Sequence, residues 1–193
     1  LMEVIYKNRY SKAYLAIQEH GTLPVLIRLP LGGKDINSQI DKLRRERKTA
    51  ESIALPGRLD YREVYLQDGT FLLEADIPGL LPLSKAFPKE EFAPEPFLHA
   101  VMDICENLEL LHRRDFILGC LRIESIFIEP NLKRIFFSDY SELQTMTALP
   151  GPENKVGGNI AVLSYLSPEQ TGCNEKNVDN RSDLYSLGAL LYK

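Results

Sequence analysis

The chain has 193 residues, 44% hydrophobic and 26% charged, which suffices for an ordinary globular core. A net charge of −4 argues against a general binder of nucleic-acid backbones. The cysteines, Cys105, Cys120 and Cys173, fit neither a zinc-site spacing nor a disulfide framework, which points to a reducing, cytoplasmic setting, and no apolar run approaches a membrane span.

Residues 3–6 and 12–18 read as two strands, followed by a third in the apolar, β-branched run Val25–Leu29. Residues 35–54 place Ile36, Ile40, Leu43, Ala50 and Ile53 among charges at intervals that predict a helix, which Leu55-Pro56-Gly57 ends. Within it, Arg44-Arg45-Glu46-Arg47-Lys48 is expected to be a solvated face. Arg62–Leu66 and Phe71–Glu74 flank Asp68-Gly69, a hairpin signal. The character then changes. Residues 77–82 and 87–96 are proline-rich and loop-like, and Phe97–Leu111 is an amphipathic helix. Ser125–Ile128 and Arg134–Phe137 predict short strands, residues 141–160 lack periodicity, and a last helix is expected from Tyr185. The order gives an α+β fold. Leu1 is not an initiator methionine and a helical pattern still runs at Lys193, so a piece of a longer protein is expected.

The run from Ser164 to Gly188 resembles the end of a protein kinase activation segment and the helix that follows it. Ser167-Pro168-Glu169 stands where kinases carry Ala-Pro-Glu, and Asp183 where an aspartate orders the catalytic loop. The wording is similar, more narrowly, to the kinase-like domain at the N-terminus of large multi-domain sensor histidine kinases. That resemblance implies a two-lobed domain, with a β-rich small lobe over residues 1–76 and a partial, mainly helical large lobe over 77–193, cut before its last helices. Its partners would be other domains of the same signalling protein, or regulatory proteins, with neither nucleic acid nor membrane insertion involved. ATP and Mg²⁺ are the cofactors it implies for an intact site.

Phosphoryl transfer needs positioning and charge neutralisation, and a working kinase carries a known set of parts for both. Several are altered here. The place of the glycine-rich loop is Tyr6-Lys-Asn-Arg-Tyr-Ser-Lys-Ala-Tyr14, without a glycine, and is expected to be a solvated hairpin. Arg28 replaces the third-strand lysine, with Glu46 as its helix partner. Leu73 and Glu74 fall where a strand would meet the adenine and begin the hinge. His112-Arg-Arg-Asp115 imitates the catalytic loop, but the register assigns that loop to Ile117–Ile128. There Leu118 and Gly119 replace histidine and arginine, Cys120 the aspartate base, Arg122 the lysine and Ser125 the Mg²⁺-binding asparagine. Asp139 keeps the position of the second metal-binding aspartate and is the Mg²⁺ candidate. A thiol with an ordinary pKa of about 8.5 cannot serve as an ionised carboxylate at neutral pH.

Scaffold residues remain and reaction residues are lost, which points to a pseudokinase acting as a regulatory or docking module. Two alternatives stay open: a weakly active Ser/Thr kinase using Arg28, Asp139 and one metal ion, and an ATP-binding sensor without turnover.

Overall fold

The computed structural model describes residues 2–17, 23–87, 94–131, 133–146, 160–171 and 177–192, the side chains of 160 and 161 excepted. Five strands form an antiparallel sheet: β1 (Met2–Lys7), β2 (Ser11–Ile17), β3 (Pro24–Pro30), β4 (Arg62–Tyr65) and β5 (Phe71–Asp76). Their order is β1-β2-β3-β5-β4. Helix α1 (Ile36–Ile53) enters between β3 and β4 and buries Leu43, Glu46, Ala50 and Ile53. That spacing puts one stripe of the helix on the sheet. Ala54, in the left-handed region at φ 50°, closes it.

The second half is built around α3 (Pro94–His112), which buries Ala100, Ile104, Asn107, Leu108 and Leu111. It starts three residues before the expected position, because Pro94 and Pro96 sit in the first turn, where no N–H partner is needed. The stretch expected as loop also holds β6 (Leu81–Pro82) and α2 (Leu83–Ala86). Then follow β7 (Phe116–Ile117), a 3₁₀ turn (Ile123–Ser125), β8 (Ile126–Ile128), β9 (Ile135–Phe137), β10 (Gln144–Thr145), α4 (Ile160–Leu163) and α5 (Asn180–Tyr192). Short paired segments such as β7 and β10 carry no periodicity, so sequence pattern does not reveal them. Helix α5 begins five residues earlier than expected because the Asp179 carboxylate accepts the Arg181 N–H at 2.9 Å and caps it.

Two large apolar clusters result. One gathers Tyr6, Leu26, Leu43, Tyr61, Phe71, Leu73 and Ile77, with Phe127 from β8. The other gathers Leu83, Ile104, Leu108, Leu121, Ile126, Phe137, Tyr165 and Leu187, with Ala50 and Ile53 from the end of α1 and Leu55 just after it. Each therefore contains residues from both halves of the sequence. Among the described residues no helix is long and apolar enough to cross a membrane.

Candidate functional site

The loop from Ile117 to Ser125 is held from below by Asp183. Its carboxylate, fully buried, accepts the N–H of Leu118 at 2.9 Å and of Gly119 at 2.8 Å, and contacts His112 Nε2 at 2.8 Å. Burial of a carboxylate is tolerated only with such partners. Asp115, by contrast, is exposed in the turn after α3 at φ 59°. Its carbonyl oxygen receives the Met146 N–H at 2.8 Å. The Cys120 thiol points into a small apolar cluster with Val162 and Leu166. Burial pushes the thiol up to about 12, against the pull of Arg122.

Above the loop lies a buried network of two guanidinium groups and two carboxylates. Arg28, 1% exposed, forks onto Glu46, with Nη1 on Oε1 and Nη2 on Oε2 at 2.9 Å. Glu46 also accepts the Tyr10 hydroxyl at 2.7 Å and the Tyr140 N–H at 2.8 Å. Arg28 Nη2 further reaches Ser11 Oγ at 3.1 Å and Asp139 Oδ1 at 3.5 Å. Asp139 Oδ1 accepts Asn8 Nδ2 at 3.0 Å and the Ser141 N–H at 3.2 Å, while Oδ2 is bonded to Arg122 Nη2. Burial alone would raise the Asp139 pKa; Arg122, then Arg28, Asn8 and Ser141, outweigh it and hold the carboxyl below its usual value.

The β1–β2 turn is therefore drawn inward. Tyr6 donates its hydroxyl to the Ser138 carbonyl at 2.8 Å, Arg122 donates to the Lys7 carbonyl at 3.0 Å, and its guanidinium lies 4.6 Å from the Tyr6 ring centre. Asn8, Tyr10 and Ser11 are all buried. The expectation of a solvated hairpin fails here, because an asparagine and two tyrosines supply hydrogen-bond groups that face the cluster rather than water. The basic run on α1 is likewise only partly solvated: Glu46 is buried, and Arg44 and Arg47 pair with Glu63 of β4 at 3.1 and 3.5 Å.

No family model matches the chain. It is 29% identical over 101 residues to the serine/threonine-protein kinase PknB of Mycolicibacterium smegmatis, covering 52% of this chain and 16% of that protein. A probable serine/threonine-protein kinase of Streptomyces coelicolor is 26% identical over 157 residues, covering 79% of this chain and 23% of its own length. The peroxide stress-activated histidine kinase mak3 of Schizosaccharomyces pombe is 26% identical over 126 residues, 58% of this chain and 5% of that protein. The chain thus spans less than a quarter of the length of each of these relatives.

These partial similarities to Ser/Thr protein kinases support a protein kinase-like fold for the chain.

Within a kinase-like frame the remaining candidate residues are placed as follows. Leu73 is buried and lines a narrow gap with Arg28, Glu46 and Tyr140. Glu74 turns outward to Arg62, which also binds Asp76 at 2.7 Å. Ser125 Oγ donates to the Arg122 carbonyl at 3.0 Å, so it is turned to the main chain. Ser167 is buried and hydrogen-bonds Gln170, which donates in turn to the Gly119 carbonyl. Pro168 begins the turn, its carbonyl accepting the Thr171 hydroxyl at 2.8 Å. Glu169 accepts the Ser182 hydroxyl at 2.6 Å. Arg28, Glu46, Arg122 and Asp139 are thus brought together; Glu74 lies apart from them.

Sequence reasoning missed Asn8, Tyr10, Gln170 and Glu142. Of these only Asn8 left a signal, since an asparagine in a short turn often bonds backbone two or three residues on, as its Oδ1 does with the N–H of Tyr10 and Ser11. Glu142 pairs with Arg9 of the β1–β2 turn at 3.1 Å. Burial raises Glu142 to about 7, although Arg9 pulls it down. A carboxyl raised on folding adds stability below its unfolded value near 4.5, and that contribution is lost as pH rises through about 7. Thermal melts from pH 4.5 to pH 8 should therefore fall less steeply with pH in Glu142→Gln than in the parent.

Proposed function

We propose that the chain is a catalytically silent, two-lobed kinase-like domain, a pseudokinase, working as a regulatory or docking module inside a multi-domain signalling protein. The small lobe would comprise residues 1–76 and the partial large lobe 77–193. The observation that carries this reading is the burial of the Cys120 thiol, at the position that the kinase resemblance gives the proton acceptor. General-base catalysis requires a group whose pKa lies near the working pH, and a thiol raised to about 12 does not meet that condition. Three carboxylates close to the loop are already engaged: Asp183 with loop amides and His112, Asp139 with Arg122 and Asn8, and Glu142, although its pKa is raised to about 7, with Arg9 of the β1–β2 turn.

The match to a histidine kinase supports the signalling context, and the partners proposed are other domains of that protein or regulatory proteins, in the cytoplasm. The test is incubation of purified protein with Mg-ATP and a generic protein substrate such as casein. No transfer above a protein-free blank is expected. Transfer that Asp139→Asn abolishes would overturn the proposal and favour a weakly active Ser/Thr kinase.

A further inference from the structure

A kinase-like site holds Mg²⁺ on its second aspartate and an asparagine, together with the phosphates of ATP. The residues present do not fit that ion. Mg²⁺ needs near-octahedral oxygen ligands, usually one or two carboxylates with waters and phosphates. Asp139 Oδ2 already holds the Arg122 guanidinium, and Oδ1 holds Asn8 and the Ser141 N–H. Ser125 has its hydroxyl on the Arg122 carbonyl. No group of three or more His, Cys, Asp or Glu poised for a metal occurs among the described residues. The charges also close without a metal: Arg28 and Arg122 balance Glu46 and Asp139, all four side chains being at most 4% exposed. A divalent ion added to this set would be a buried charge without a counter-ion.

We infer that Arg122 is the protein's own cation at Asp139, occupying the place of the metal ion and latching the β1–β2 turn down over that carboxylate. The same side chain makes both contacts. Its Nη2 binds the carboxylate, and its Nη1 donates to the Lys7 carbonyl at 3.0 Å. Its planar group lies over Tyr6, and Asn8 ties the same turn to the same aspartate. A compact ammonium could not make this planar, two-sided bridge. The latch therefore excludes metal–nucleotide from the Asp139 carboxylate. The inference rests on the reading of the chain as a silent kinase-like domain, and goes further by stating what closes it.

The experiment measures Mn²⁺ binding by electron paramagnetic resonance, and thermal midpoints with Mn²⁺, Mn²⁺–ATP and ATP–EDTA. The proteins are the full chain, Arg122→Gln and Asp139→Asn. The parent is expected to leave Mn²⁺ free and its midpoint unmoved by Mn²⁺–ATP. Arg122→Gln, which empties one oxygen of Asp139, is expected to gain a Mn²⁺-dependent midpoint rise of about 3–6 °C at ligand tenfold over its Kd. If Arg122→Gln does not fold, the parent and Asp139→Asn still decide. Tight Mn²⁺ or Mn²⁺–ATP binding by the parent, lost in Asp139→Asn, would overturn the latch. Such binding without phosphate transfer would leave the proposed function standing. Transfer by the parent would overturn that function instead.

Discussion

Restoring a side chain at Gly119 is expected to destabilise the protein more than it repairs the catalytic loop. Gly119 sits at φ 79°, where side chains other than glycine's are strained. A Cβ there would lie 2.4 Å from the Glu142 carbonyl oxygen and 3.0 Å from the Glu142 Cβ. The obstacle is main chain, which Tyr140 and Ser141 pin through hydrogen bonds to Glu46 and Asp139. It cannot move without disturbing the buried charges. Left-handed strain of about 1 kcal/mol and overpacking of about 1–3 kcal/mol add to a loss of about 2–4 kcal/mol for Gly119→Ala. For a chain of this size that lowers the melting midpoint by roughly 4–16 °C. Gly119→Arg, which writes back the kinase arginine, should be worse, since its long side chain must leave through the same gap. Melts of both variants check this. A midpoint within a degree of the parent would mean that the 140–142 segment yields freely.

That result bears on how this loop is packed. Gly119 leaves the space into which the segment after Asp139 packs, bringing Glu142 to Arg9 and the Tyr140 N–H to Glu46. Residues 119, 122 and 125 lie in one packed unit: Gly119 admits the segment, Arg122 holds the Asp139 carboxylate, and Ser125 turns its hydroxyl to the Arg122 carbonyl.

Much of this was legible in the sequence. Helix α1 announces itself by period and strand β3 by its apolar, β-branched run, and the resemblance at 164–188 supplies the register from which Cys120, Arg122 and Asp139 are expected near one site. The Arg28–Glu46 pair follows from the likeness of Val25-Leu-Ile-Arg28 to a kinase third strand. Contacts between distant turns were not legible. Nothing in Tyr6-Lys-Asn-Arg-Tyr10 signals that Asn8 meets Asp139, 131 residues away. An inward-facing polar turn and a solvated one have the same composition, and only the opposing charges decide between them. The start of α5 lies upstream of the apolar pattern that begins at Tyr185, and its signal is the cap: Asp179, ahead of Asn180-Arg181-Ser182.

Removing Arg28 is expected to be the most damaging single change. Its guanidinium faces Glu46, Asp139, Ser11 and the Ser138 carbonyl from inside the core. Burying an ion pair earns little by itself, but deleting one partner strands the other charge at about 3–5 kcal/mol. Arg28→Met keeps the volume and removes the charge. Glu46 would retain only Tyr10 and the Tyr140 N–H, and Asp139 would depend on Arg122 and Asn8. A midpoint drop of roughly 6–20 °C follows. The double variant Arg28→Met with Glu46→Leu leaves no stranded charge and should recover a large part of the drop, giving a coupling energy of about 1–3 kcal/mol. The acid limb gives a second readout. Asp139 is held below its usual value, so it contributes stability above pH 3.8 that is lost as pH falls towards its folded value. Arg28 is one of the charges holding it there, so in Arg28→Met that loss should be smaller and should be complete at a higher pH. Additive losses in the double variant, with an unmoved acid limb, would mean that Arg28 acts by packing alone.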